Sequence, residues 1–137
     1  MAFRKLTILS LYGTRITDAG IRELKCLKHL AELSLAHTKI TGISLGELAL
    51  LESLTNLDLS WTEITDEGIA NLKQLSFLQD LNLSRTNITD VELAALHRLK
   101  NLRHVELFRT KITAAGVAKF RLAIPGVEVD SEDSRLD

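Results

Sequence analysis

Asp58, Asp80, His104 and Glu106 are the side chains in this 137-residue sequence with the chemistry to hold a metal ion or move a proton, if a fold brings them together. Carboxylates and imidazoles ligate zinc and similar cations, but such a site also needs a fixed ligand number and outer hydrogen bonds that orient each ligand. Nothing in the spacing of these four supplies either, so they are expected to form a solvated polar face, with no metal and no cofactor. Covalent catalysis has no better footing. No Ser or Cys nucleophile stands with a His and an acid in a recognisable signature, and Gly20, Gly68 and Gly116 serve repeat turns rather than a phosphate loop. No catalytic residue is assigned, and an enzyme is not expected. A second group has binding chemistry instead: Trp61, Arg85, Arg109 and Phe108 are of types enriched at interface hot spots.

Composition narrows the partners. Hydrophobic residues make up 45% and charged residues 26% of the chain, the balance of a globular domain. Seventeen Lys and Arg against eighteen Asp and Glu leave a net charge of −1, so nothing draws the chain as a whole to nucleic acid or to anionic lipid. The one cysteine, Cys26, cannot form an internal disulfide, which points to an intracellular, cytoplasmic setting. The first residues, Met1 to Lys5 followed by LTILSLYG, have some look of a signal peptide. The same apolar spacing returns four more times downstream, however, and is therefore read as repeat. No apolar run approaches membrane-spanning length, because Glu47 and Glu52 flank the greasiest stretch.

These candidates are positioned by an internal period. Leu6, Leu30, Leu54, Leu78 and Leu102 lie 24 residues apart, and so do Leu9, Leu33, Leu57, Leu81 and Val105. Leu11, Leu35, Leu59, Leu83 and Leu107 follow two residues later, then Thr14, Thr38, Thr62, Thr86 and Thr110, then Ile16, Ile40, Ile64, Ile88 and Ile112. The Leu-x-Leu alternation puts both leucines on one face of a short strand. A threonine after each isoleucine, at 17, 41, 65, 89 and 113, precedes an apolar pattern at helical spacing and is placed to cap a helix; Thr89 with Glu92 makes a capping box. Each repeat thus reads strand, turn, helix. Identical units of this length lay their strands side by side in one direction, with right-handed helical crossovers. Strands stack at about 4.8 Å while helices are about 10 Å across, so the stack curves with its strands inside. The fold class is α/β, a curved solenoid with a parallel sheet on the concave face and helices on the convex face. Residues 6–123 form five repeats, 1–5 the end of a preceding repeat, and 124–137 a closing segment with an acidic tail.

The segment LTNLDLSWTEITDEGIANLKQL, Leu54 to Leu75, resembles the L-x-x-L-x-L-x-x-N/T-x-I-T-D-x-G-L-x-x-L-x-x-L unit of leucine-rich-repeat proteins. The resemblance covers about residues 3–129 and implies recognition of a protein or peptide on the concave face. Where the family often carries Asn, this chain has Thr14, Thr38, Thr62, Thr86 and Thr110, which implies an inward ladder of hydroxyls bonded to neighbouring loop backbone. The motif's Gly is replaced by Ser44 and Glu92, and its Asp by Gly42 and Ala114, so helix starts are expected to vary.

Aligned by repeat, three outward columns cross the sheet. Ile8, Glu32, Asn56, Asp80 and His104 form the first; Ser10, Ser34, Asp58, Asn82 and Glu106 the second; Tyr12, Ala36, Ser60, Ser84 and Phe108 the third. Beside them run Gly13, His37, Trp61, Arg85 and Arg109, a basic and aromatic rim. The expected partner-binding strip is Trp61, Arg85, Arg109, Phe108, Tyr12, Asp58, Asp80, His104 and Glu106. Cys26 shares its position with Leu50, Gln74, Arg98 and Leu122 and is read as a partly buried small hydrophobe. Phe3 aligns with Leu27, Leu51, Leu75 and Leu99, which leaves the first strand's outer edge uncovered. The leading expectation is a protein-binding module, as in an adaptor or signalling protein. The alternative is an architectural repeat that forms a homodimer through that edge.

Overall fold

The computed structural model describes residues 4–132, so the expectations resting on Phe3 and on the far end of the acidic tail lie outside the described residues. Six strands form one parallel sheet in sequence order: β1 (Ile8–Ser10), β2 (Glu32–Ser34), β3 (Asn56–Asp58), β4 (Asp80–Asn82), β5 (His104–Glu106) and β6 (Glu128–Asp130). Every register step is 24 residues, from Ile8 beside Glu32 to His104 beside Glu128. The sixth strand falls in the closing segment. Its signal was present in the sequence, since Val129 continues the Leu9 to Val105 series by one more period and pairs with Val105.

The inward columns make one continuous core on the far side of the sheet. Leu33, Leu57, Leu81 and Val105 pack there with Leu35, Leu59, Leu83 and Leu107, and the crossovers add Ile21, Leu45, Ile69, Leu93 and Val117. Each buried Leu or Ile contributes about 1.5 to 3 kcal/mol relative to exposure. In the first repeat, Leu6, Leu9, Leu11 and Ile16 are only partly buried.

The crossovers are less uniform than the strands. Four contain an α-helix: α1 (Asp18–Ile21), α2 (Asp66–Leu72), α3 (Asp90–Ala95) and α4 (Ala114–Ala123). The second repeat has none, contrary to the strand, turn, helix expectation; its crossover is a 3₁₀ segment, Leu45–Leu50. The reason lies at Gly42. The Asp18 carboxylate takes the backbone N–H groups of Thr41 (2.9 Å), Gly42 (2.9 Å) and Ser44 (3.5 Å), and Gly42, standing where the motif has Asp, sits at a φ of +90°. An α-turn leaves its first N–H groups free for an outside acceptor, as Asp90 shows at Thr113 ahead of α4, so what excludes the turn after Thr41 is the left-handed φ of Gly42. Three of the other threonines do cap: Thr65 and Thr113 accept from the N–H of Gly68 and Gly116, and Thr89 and Glu92 form the expected capping box, whereas Thr17 stands at the N-cap of α1 without a side-chain bond.

The threonine ladder needs correction. Each hydroxyl donates to a carbonyl three residues earlier in its own repeat, from Thr14 to Leu11 (2.8 Å) through Thr62 to Leu59 (2.6 Å) to Thr110 to Leu107 (3.0 Å). The bonds close the turn after each strand rather than joining repeats, because the turn brings that carbonyl nearer than any neighbour's. Only Thr38, Thr62 and Thr86 are buried.

Candidate functional site

The rim is set by an unusual backbone. Gly13, His37, Trp61, Arg85 and Arg109 occupy equivalent turns, each in the left-handed region, with φ of 66°, 55°, 56°, 60° and 53°. Only Gly13 adopts that conformation freely; for an L-residue it costs about 1 to 2 kcal/mol. The turns are held by backbone bonds between repeats, in which Gly13, His37, Trp61 and Arg85 donate N–H to the carbonyls of Ala36, Ser60, Ser84 and Phe108.

Their side chains form a ladder over four repeats. The Tyr12 ring stacks on His37 (centroids 5.8 Å apart, 17° between planes), His37 meets Trp61 edge-on (5.8 Å, 74°), and the Arg85 guanidinium lies 4.2 Å from the Trp61 centroid. Tyr12 and Trp61 remain 65% and 50% exposed despite these contacts. His37 was not among the expected anchors, although its alignment with Trp61 was the available signal. Arg109 shares the backbone position but ends outside the ladder, 4.0 Å from Glu132.

The third column corrects the outward expectation. Ala36, Ser60 and Ser84 are buried, and Phe108 is half-buried rather than an exposed anchor. Strand alternation stops before this column, since the strands end at the second column and the chain then turns. Asp58 is also partly structural, its Oδ1 accepting the Ser60 N–H at 2.9 Å, as Asn82 does from Ser84. Cys26, expected to be partly buried, is exposed.

On the strand face the first two columns stand over a hollow of about 250 Å³ that crosses β1 to β5. Asp80 and His104 are register partners, but the closer bond of His104 is to Asp130 of β6: Nε2 lies 2.9 Å from Asp130 Oδ2, and Nδ1 is 3.8 Å from Asp80. The hydrogen bond to Asp130 raises the His104 pKa against the opposing effect of partial burial, and the charges of Asp130, Glu106 and Asp80 add to the rise. Glu106 accepts from the Asn82 amide at 3.1 Å. Among the described residues no three His, Cys, Asp or Glu side chains are grouped to hold a metal ion. No helix among them is long and apolar enough to cross a membrane.

A larger hollow, about 570 Å³, lies on the opposite side between α3 and α4 and is lined by Val91, Ala94, Phe120 and Ala123 among others. It draws on two crossovers only, and no ring or guanidinium contact is found there. Volume favours the helix side; convergence of anchors favours the strand side, and for recognition the anchors matter more.

Two leucine-rich-repeat family models match residues 4–64 and 74–96, together more than half of the chain. No curated protein sequence matches significantly. Among solved structures, an internalin C2 from Listeria monocytogenes is 27% identical with a TM-score of 0.71, over 93% of this chain and 52% of that one. A leucine-rich-repeat protein from Leptospira interrogans is 31% identical with a TM-score of 0.72, over 89% of this chain and 30% of that one. An internalin from the same Listeria species, 21% identical with a TM-score of 0.56, shares the fold. This chain therefore spans about half the length of the first and under a third of the second. Six parallel strands in a strict 24-residue register, a leucine core and these matches agree: the chain belongs to the leucine-rich-repeat family.

Proposed function

We propose that this chain is a protein-binding module whose partner docks across the strand face and against the Tyr12, His37, Trp61 and Arg85 ladder. The observation that carries the reading is the placement of His, Trp, Arg and Arg in four successive left-handed turns where glycine costs least. Side chains kept against the backbone's preference, half-exposed and joined ring to ring, suit an interface better than a solvated surface. The leucine-rich-repeat family supports a role in protein interaction in general; an adaptor or signalling role in an intracellular setting is our extension of it, as is a surface free of catalysis.

The test is titration calorimetry with a partner captured from lysate. Trp61→Ala and Arg85→Ala should each weaken binding by about 2 kcal/mol or more, while Arg22→Ala and Lys73→Ala on the crossovers change it little. Equal losses on both sides, or losses only at Arg22 and Lys73, would move the site to the helices.

A second reading has its own observation. Leu6, Leu9, Leu11 and Ile16 are only partly buried and Ile8 is 61% exposed, so the outer edge of β1 is a candidate for pairing with a second copy. Light scattering that gives a monomer at every concentration, with slow amide exchange in β1, would remove it.

A further inference from the structure

Resting on the partner-binding reading above, the geometry points to a basic occupant of the strand face: an extended, Lys- or Arg-rich segment of a protein partner, lying across the strands in the hollow.

Charge is segregated on this side of the molecule. The chain is close to neutral as a whole, yet the strand face carries Glu32, Asp58, Asp80, Glu106, Glu128 and Asp130 against His104 as its single positive candidate. The cations of the neighbouring turns do not neutralise that floor. Lys39 pairs with Glu63 and Arg109 lies against Glu132, both in the rim, while Arg85 sits on Trp61. No ion pair engages Glu32 or Glu128 among the described residues, and the nearest charged partner of Asp80 is His104 at 3.8 Å.

Shape and rim then narrow the occupant. A hollow of about 250 Å³ that crosses five strands admits a single extended chain more readily than a broad surface. Acidic groups on neighbouring strands recur at about 4.8 Å, a spacing that long Lys and Arg side chains can span with different rotamers. Their aliphatic stems have the exposed Tyr12 and Trp61 rings to lie against. A polyanion such as nucleic acid meets the opposite field over the floor and is disfavoured there.

The experiment uses two short labelled peptides of equal length, one alternating Lys with Ser and one alternating Glu with Ser, at physiological ionic strength. They are titrated into the wild type, into a floor variant (Glu32→Gln with Asp80→Asn) and into a crossover variant with the same charge change (Glu47→Gln with Glu67→Gln). Trp61, the only tryptophan, reports on the rim by fluorescence. The basic peptide should bind and shift Trp61 emission, the acidic one should not, and the floor variant alone should weaken binding by about tenfold. Equal weakening in both variants would mean non-specific charge attraction and overturn the inference. Binding of the acidic peptide, lost on Arg85→Ala, would overturn the polarity while leaving the strand-face reading intact. No binding of either peptide also overturns the inference, and the Trp61→Ala calorimetry with the captured partner then judges the parent reading separately.

Discussion

The two sides of this solenoid hold their repeats together in different ways. On the strand side, successive repeats are joined by backbone: Leu11 N–H donates to Ser34 carbonyl, Leu35 to Asp58, Leu59 to Asn82, and the rim residues continue the series. Those bonds are indifferent to side chains, so the outward positions are free to vary, and they hold Ile, Glu, Asn, Asp and His in one column. On the crossover side, joints between repeats rely on particular side chains and glycines. Asp18 binds the Thr41 N–H and hydroxyl of the next repeat, and Asp90 does the same to Thr113 at 2.8 and 2.6 Å. Repeat two lacks the acid, and there the Thr41 carbonyl accepts the Thr65 N–H instead. That substitution demands two glycines back to back. A Cβ on Gly68 would lie 2.3 Å from the Thr41 oxygen, and one on Gly42 would lie 2.7 Å from the Gly68 Cα. Substitutions on the strand side should therefore cost affinity, and those on the crossover side stability.

The comparison breaks most sharply at Gly68. Alanine normally gains about 1 kcal/mol over glycine inside a helix, but here its methyl meets backbone that can move only by separating two repeats. Gly68→Ala should cost about 3 kcal/mol in urea unfolding. Gly13→Ala, on the strand side with no atom within 4 Å, should cost only about 1 kcal/mol for its left-handed φ. Similar costs at the two glycines would refute the division of labour.

Thr62→Val tests whether a turn on the strand side carries stability through its side chain. It leaves the buried Leu59 carbonyl without its 2.6 Å partner and should cost about 1 to 3 kcal/mol. Thr14→Val removes the same bond where water can replace it, and should cost less. An unchanged midpoint for Thr62→Val would make the buried hydroxyls dispensable.

Acid should loosen the crossover side first. Partial burial raises the Asp18 pKa but is outweighed by the bonds from Thr41, Ser44 and Gly42. Asp90 is lowered first by the Thr113 hydroxyl, and Glu92 first by that of Thr89. Folded values below the unfolded ones mean that the unfolded chain binds more protons. The stabilisation is complete above the unfolded carboxylate pKa of about 4 and is lost as pH falls through the folded values. Asp18→Asn should lower stability at neutral pH and flatten its decline below about pH 4. The same decline in both proteins would remove Asp18 from the account.

The smallest effect is the most pointed. Arg109→Gly relieves a left-handed turn without disturbing the ring ladder and should leave stability unchanged or raise it by up to about 1 kcal/mol, while weakening partner binding. A clear loss of stability would mean that the rim is structural after all.

The 24-residue period fixed much of this molecule in advance: which residues face the core, which strands are neighbours and in what register, and which threonines stand ready to cap. These follow from sequence alone because alternation and helical spacing are local, and because an unbroken repeat leaves one way to stack. Tertiary structure decided the rest. Asp130 rather than Asp80 holds His104, since β6 adds a neighbour whose carboxylate comes closer. Asp18 accepts from N–H groups 23 to 26 residues ahead of it, at Thr41 and Ser44, a contact between repeats that no local pattern records. The rim depends on a backbone sign: a positive φ at His37, Trp61 and Arg85 cannot be read from their residue types, and the inter-repeat hydrogen bonds, with the threonine bonds that close each turn, hold it.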